Sequence, residues 1–295
     1  MSMRTIIPGQ IPIPDFHQFM LGTVAPRPIA FVSTLDKEGN PNLAPYSFFN
    51  AFSSNPPIVV FSSNRRVRNN TTKDTLANIR ETGECVINSV SYHIVRQMAV
   101  CSVEFPTIVN EFEKSGLTPM PSQFVKPFRV KESPSHMECR LREIITLGDR
   151  GGAGHLIICD VLCIHVNEEV IDERGRIDPD KIDLMGRMGR AYYARASGEA
   201  LYTIPQPQEI ITIGYDNLPG SIRDSRILTG NQLGTLAGMV ALPDESVIAS
   251  AREIPGVYEL LNNHDIGGLH VLAASFLERG EVDRGAAVLI LADRL

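Results

Sequence analysis

A chain of 295 residues has room for one large domain, or for a main domain with a smaller one beside it. Its composition, 43% hydrophobic and 21% charged, is that of a globular protein and excludes disorder throughout. With 28 Lys and Arg against 34 Asp and Glu the formal net charge is -6, which repels a polyanion, so no nucleic-acid partner is expected.

Met1 to Phe16 carries Pro8, Pro12 and Pro14 where a signal peptide needs an uninterrupted apolar stretch. No later run is long and apolar enough to span a bilayer, so the chain is expected to be cytoplasmic, with no membrane partner. Pro28 to Thr34 is apolar and β-branched, Asp36 to Asn40 is a turn cluster, and Pro41 to Phe49 resumes with aromatics, which together predict a hairpin. Ile58 to Phe61 follows the breaker Asn55-Pro56-Pro57 as a further strand. Thr72 to Arg80 switches to helical spacing, with hydroxyl or acidic residues at its start, and Gly83 ends it.

Cys85 to Asn88 is the next strand, and Tyr92 to Ala99 and Thr107 to Lys114 predict short helices. Prolines 119, 121, 127 and 134 mark an extended surface crossing. Two longer strands, Met137 to Thr146 and His155 to Val166, are joined by a loop from Gly148 to Gly154 whose glycines supply positive φ angles. That loop is no dinucleotide fingerprint, because its spacing fails GxGxxG and a strand follows where a helix would have to start. From Ile177 to Tyr193 the chain is mixed and arginine-rich, and Tyr202 to Pro207 reads as a linker. Beyond it Leu233, Leu236 and Val240, then Val247, Ala251 and Ile254, then Leu269, Leu272 and Phe276 follow helical spacing. The expected division is therefore 1–207 and 208–295, a mainly β domain with some α followed by a helical extension.

Five cysteines, Cys85, Cys101, Cys139, Cys159 and Cys163, form no CxxC pair, and their odd number argues against a disulfide framework. Cys159 and Cys163 stand at even spacing with His155 and His165, so all four would share one strand face. Residues two apart along a strand point the same way but sit too far apart to converge on one ion, so a packed face is preferred and no metal is expected.

The run from Cys101 to Leu141 contains an EFE..GLTP segment, then V.P.RV.ESP, then a strand beginning with a Glu-Cys pair. Ala25 to Ala30, Leu43 to Asn50, Asn55 to Pro57, and Lys73 to Thr75 with Asn78 and Ile79 stand upstream in a matching order. In these motifs the chain resembles the flavin-reductase-like family that includes flavoredoxin and the reductase component of nitrilotriacetate monooxygenase. Across residues 15 to 205 the resemblance implies a split β-barrel, FMN as ligand, and a homodimer whose interface forms part of the flavin site. Residues after 207 are a C-terminal appendage that the resemblance does not explain.

FMN presents a dianionic phosphate to neutralise and a flat ring to shelter. By the resemblance, Ser62, Ser63, Lys73 and Thr75 hold the phosphate and ribityl chain where a strand ends and Lys73-Asp74-Thr75 open a helix, with Arg68 favoured over Arg65 as the assisting arginine. The ring would lie against Pro45, Tyr46, Ser47, Phe48, Phe49 and Asn50, with Arg27 and the strand from Ile29 to Ser33 completing the slot. Hydride transfer from NAD(P)H needs two rings at contact distance and no acid, base or nucleophile from the protein. Related reductases carry a Gly-Asp-His turn that helps seat the nicotinamide; here Ala153-Gly154-His155 keeps the histidine, a candidate nicotinamide contact, and lacks the aspartate. The leading expectation is a flavin reductase using NAD(P)H and serving an oxygenase or other redox partner. The alternative is a flavoredoxin-like electron carrier without direct nicotinamide turnover.

Overall fold

The computed structural model describes residues 2–204 and 210–295. The chain forms two compact units, Met1–Tyr202 and Thr203–Leu295. The end of the segment read as a linker, Pro205 to Pro207, and the expected division after residue 207 lie outside the described residues.

The first unit is built on a seven-stranded antiparallel sheet. In chain order its strands are β1 (Ala30–Leu35), β2 (Pro41–Tyr46), β3 (Phe49–Ser54), β4 (Pro57–Asn64), β5 (Glu84–Asn88), β8 (Ser135–Thr146) and β9 (Gly154–Val166), arranged β2-β1-β5-β8-β9-β4-β3. Two short pairs, β6 (Pro119–Met120) with β7 (Arg129–Val130) and β10 (Leu184–Arg187) with β11 (Tyr193–Ala196), lie outside it. The expected hairpin forms, with Ala30 opposite Tyr46 and Leu35 opposite Pro41. The aromatic run is not one strand, however: β2 stops at Tyr46, the chain bends at Ser47 and Phe48, and Phe49 starts β3 opposite Phe61.

Alternation along the strands sends Ala30, Val32, Val59, Phe61, Ile87, Ile157 and Cys159 into one core, which Leu76 and Ile79 of helix α2 (Asp74–Thr82) close. Phe31 and Leu43 face a second core with Met98 of α3 (Val95–Val100) and Phe112 of α4 (Glu111–Ser115). Both helices begin later than their spacing implies. Gly83 ends α2 in the left-handed region, at φ 71°, a conformation glycine adopts without strain. Among the elements that escape the sequence pattern are α1 (Ile13–Thr23), which buries none of its residues, and the one-turn α5 (Pro179–Ile182) inside the arginine-rich stretch.

A bulge reorganises the face on which His155, Cys159, Cys163 and His165 were expected together. Glu138 pairs with Cys163 and Cys139 with Val161, so Leu162 is an extra residue in β9. The strand changes face there. Cys159 lies in the core with its Sγ 4.0 Å from that of Cys85, whereas Cys163 and His165 turn to Glu138.

The second unit is helical, as the spacing implies: α6 (Gly220–Arg223), α7 (Gly230–Ala237), α8 (Glu245–Ala251), α9 (Val257–Asn262), α10 (Ile266–Glu278) and α11 (Val282–Asp293). Thr229 and Gln232 form a capping box on α7, and Asp244 and Asp265 cap α8 and α10. Its core gathers Leu236, Leu269, Ala273, Val288 and Leu289, and each leucine-sized side chain so buried contributes about 1.5–3 kcal/mol. Gly285 lets α10 and α11 approach closely, since a Cβ there would meet Leu277 Cδ2 at 2.9 Å.

Candidate functional site

The chain reversal between β2 and β3 and the end of β4 open a cavity of about 240 Å³ lined by His17, Leu21, Arg27, Pro45, Tyr46, Ser47, Phe48, Ser62, Asn64, Lys73 and Arg187. None of these residues is acidic, and three carry a fixed positive charge. Arg27 is 4% exposed, yet its guanidinium donates to neutral groups alone: the carbonyls of Leu21, Val24 and Met188 and the Ser47 hydroxyl. Burial and the neighbouring Arg187 hold its pKa below the usual arginine range. Arg187 likewise donates to the carbonyls of Met188, Arg190 and Tyr192. Burial first, then Arg66, lower the Lys73 pKa. Like charges gathered in a half-buried cleft without a carboxylate favour an anion.

Lys73 also lies on a small second cavity at the start of α2, with Asn42, Arg66, Asp74, Thr75, Ser102 and Glu104 on its walls. No side chain caps α2. The Leu76 N–H donates to the Lys73 carbonyl at 3.1 Å, while those of Asp74 and Thr75 are open to an external acceptor, and the helix dipole favours a negative one. The Tyr46 ring lies under the Lys73 ammonium, 4.9 Å from centroid to Nζ. Its hydroxyl and that of Ser63 are buried beside Thr75 and have no hydrogen-bond partner. The uncapped start of α2 beside Lys73, with Ser62 on the wall of the first cavity, is a set that fits a phosphate-bearing ligand. Thr75 Oγ1 accepts from Asn42 Nδ2 at 2.8 Å, which fixes the hydroxyl and leaves its own proton to donate.

Of the sequence-derived residues, Arg27, Pro45, Tyr46, Ser47, Phe48, Ser62 and Lys73 meet at the first cavity, and Asp74 and Thr75 at the second. The others fall elsewhere. Phe49 packs against the core, and Asn50 is exposed with its Oδ1 held by the Ala51 amide. Arg68 extends into solvent, 83% exposed, and pairs with Glu104, because the chain after β4 loops outward; Arg66 is the arginine that turns in, also against Glu104 at 3.0 Å. His155 sits opposite Ser63 inside the sheet and is 2% exposed, so its ring has no free face for a nicotinamide. Its Nδ1 faces Thr146 Oγ1 at 3.0 Å and its Nε2 has no partner.

His17, Leu21, Asn64 and Arg187 were not among the favoured residues. His17 and Leu21 come from α1, which carries no strong sequence signal, and Arg187 reaches the cleft because its backbone pairs with Arg27. Gly154 backs the site: a Cβ there would lie 2.7 Å from Ser62 Oγ, which donates to Asn64 Oδ1 at 2.9 Å.

The flavin reductase like domain matches residues 21–190. The chain belongs to the flavin-reductase-like family. An uncharacterised protein of Aquifex aeolicus is 42% identical over 183 residues, 62% of this chain and 91% of the relative. Nitrilotriacetate monooxygenase component B from Bacillus cereus superposes with a TM-score of 0.64 at 33% identity, covering 69% of this chain and all of that one. Pseudomonas fluorescens 2-nitrobenzoate 2-nitroreductase gives 0.60 at 31% identity over 70% of this chain and 100% of its own. A split-barrel protein from Shewanella frigidimarina gives 0.58 at 25%, over 67% and 95%. The seven-stranded sheet with its helices is thus a split barrel, and family membership ties the chain to flavin oxidoreductase chemistry. Among the described residues no helix is long and apolar enough to cross a membrane.

Proposed function

We propose that the flavin-reductase-like unit binds FMN in the cationic cleft and acts as a reductase, accepting hydride from NAD(P)H and passing electrons to a partner such as an oxygenase. The carrying observation is the cleft wall itself, where Arg27, Lys73 and Arg187 meet without a carboxylate. When bound, the flavin supplies the hydride-accepting chemistry, so the chain has to bind, orient and exclude water.

In this reading Lys73, Ser62, Ser63 and Thr75 with the open amides at the start of α2 hold the phosphate end. Pro45 to Phe48 shelter the ring, and Arg27, with its guanidinium 5.8 Å from the Phe48 ring centroid, braces that wall. Asn64 sets the Ser62 hydroxyl. The cleft is open, and a second copy of the chain closing it as a homodimer accords with that geometry. Residues 208–295 are proposed as a C-terminal helical extension.

Full-length protein mixed with FMN and NAD(P)H is expected to oxidise the nicotinamide well above the buffer rate. A carrier role is the second reading, favoured by the burial of His155 and by the missing aspartate before it, where Gly154 stands. Bound flavin that NAD(P)H leaves oxidised, while a protein reductase bleaches it, selects the carrier; absence of flavin binding removes both.

A further inference from the structure

The β9 bulge creates a cluster that neither the flavin cleft nor the core uses. Glu138, Cys163 and His165 bring a carboxylate oxygen, a thiol and an imidazole nitrogen within 4.8 Å of one another. His165 Nε2 lies 2.8 Å from Glu138 Oε1 and 3.4 Å from Cys163 Sγ. Cys163 and His165 are spaced by two along one strand, and the long histidine reaches back to its neighbour. Glu138 arrives from β8 as the direct cross-strand partner of Cys163.

We propose that Glu138, Cys163 and His165 form a divalent metal site, suited to zinc, with water completing the coordination. One borderline-soft nitrogen, one sulfur and one carboxylate oxygen are a ligand set zinc accepts in tetrahedral sites with an open position. With zinc–ligand bonds near 2.0–2.3 Å, the ligand atoms of a tetrahedron stand roughly 3.4–3.6 Å apart, so the sulfur–nitrogen separation is already in place and the nitrogen–oxygen pair opens by about half an ångström.

The surroundings pre-organise the carboxylate. Glu138 is fully buried, and the amides of Gln123, Phe124 and Val125 donate to it at 2.8, 2.6 and 3.2 Å. Those bonds fix its orientation as an outer shell does for metal ligands. His165 and Cys163 are partly exposed, which leaves a path for the ion. On binding, the thiol gives up its proton, the imidazole carries its remaining proton on Nδ1, and the two anionic ligands neutralise the dication.

The test uses the full chain, stripped with a chelator and titrated with zinc chloride by calorimetry, and with cobalt followed by absorption. One equivalent should bind, and cobalt should give thiolate charge-transfer absorption. Cys163→Ser should abolish that absorption and weaken zinc at least about tenfold, with His165→Ala weakening it comparably and both variants keeping the wild-type circular dichroism. No stoichiometric ion in the wild type, or unchanged binding in Cys163→Ser, overturns the proposal. Flavin plays no part in these readouts.

Discussion

The Lys73 ammonium stands 4.9 Å from the centre of the Tyr46 ring, and the hydroxyl of that same ring is left without a partner deeper in the barrel. One residue thus offers an aromatic face to the cation while its polar end stays buried beneath the cleft. Burial and Arg66 lower the Lys73 pKa, so at neutral pH its charge is carried at a cost in the empty protein. Because the folded value lies below the ordinary 10.4 or so, this residue's contribution to stability rises as pH climbs through the folded pKa toward the unfolded one. Anion affinity falls over the same range. Lys73→Met is therefore expected to raise the melting temperature of the flavin-free protein at pH 7 while weakening FMN by about 1.5–3 kcal/mol, roughly ten- to a hundredfold. Thermal melts and a fluorescence titration read the two effects separately; a variant that loses stability and keeps FMN affinity contradicts the assignment.

Gly154 carries a prediction on the cleft's back wall. A methyl there would lie 2.7 Å from Ser62 Oγ, so Gly154→Ala should rotate that hydroxyl away. The expected loss is about 0.5–1.5 kcal/mol of flavin affinity with circular dichroism unchanged. Unaltered affinity would mean that Ser62 does not touch the ligand.

His155 predicts an acid sensitivity. Burial, then Arg80 and Arg65, depress its pKa below 6.5, so the unfolded chain takes up that proton more readily than the folded one. Its stability contribution is complete above pH 6.5 or so and is lost as pH falls through the folded value. Melting temperature should drop more between pH 7.5 and 5 in the wild type than in His155→Asn. Parallel curves would show that the ring is freely protonated.

Asp183 works in the opposite chemical sense. Arg195 donates to both its carboxylate oxygens, at 2.7 and 2.8 Å, and Ser197 to one, which hold the buried carboxyl below its usual range. Stability from this pair is present above the unfolded aspartate value of about 3.9 and disappears as pH falls through the folded one. Asp183→Asn should flatten the acid-unfolding profile below pH 4, measured by tryptophan-independent far-ultraviolet circular dichroism since the chain has no Trp.

In the helical unit, Gly285→Val places a side chain against Leu277 and within 3.2 Å of the Ala273 carbonyl at its Cβ alone. Overpacking of this kind costs about 1–3 kcal/mol, to be read as a lower urea midpoint. An unchanged midpoint would show that α10 and α11 separate freely.

Local chemistry made much of this protein legible from the sequence. Apolar and β-branched runs between turn residues named β1, β2, β4, β5, β8 and β9, helical spacing named α7, α8 and α10, and the motif order named the family, because each rests on neighbours along the chain. The break between Tyr46 and Phe49, the outward course of Arg68 and the burial of His155 were decided by how strands pair, which no single segment encodes. Arg187 reaches the cleft through its bridge to Arg27, 160 positions away in sequence. The expectation that His155, Cys159, Cys163 and His165 share one packed strand face, too widely spaced to converge on one ion, rested on regular pleating. One extra residue at Leu162 turned that strand, and a cross-strand partner brought Glu138 to them. A side chain's type is written in the sequence; its companions depend on register, and register is a property of the assembled sheet.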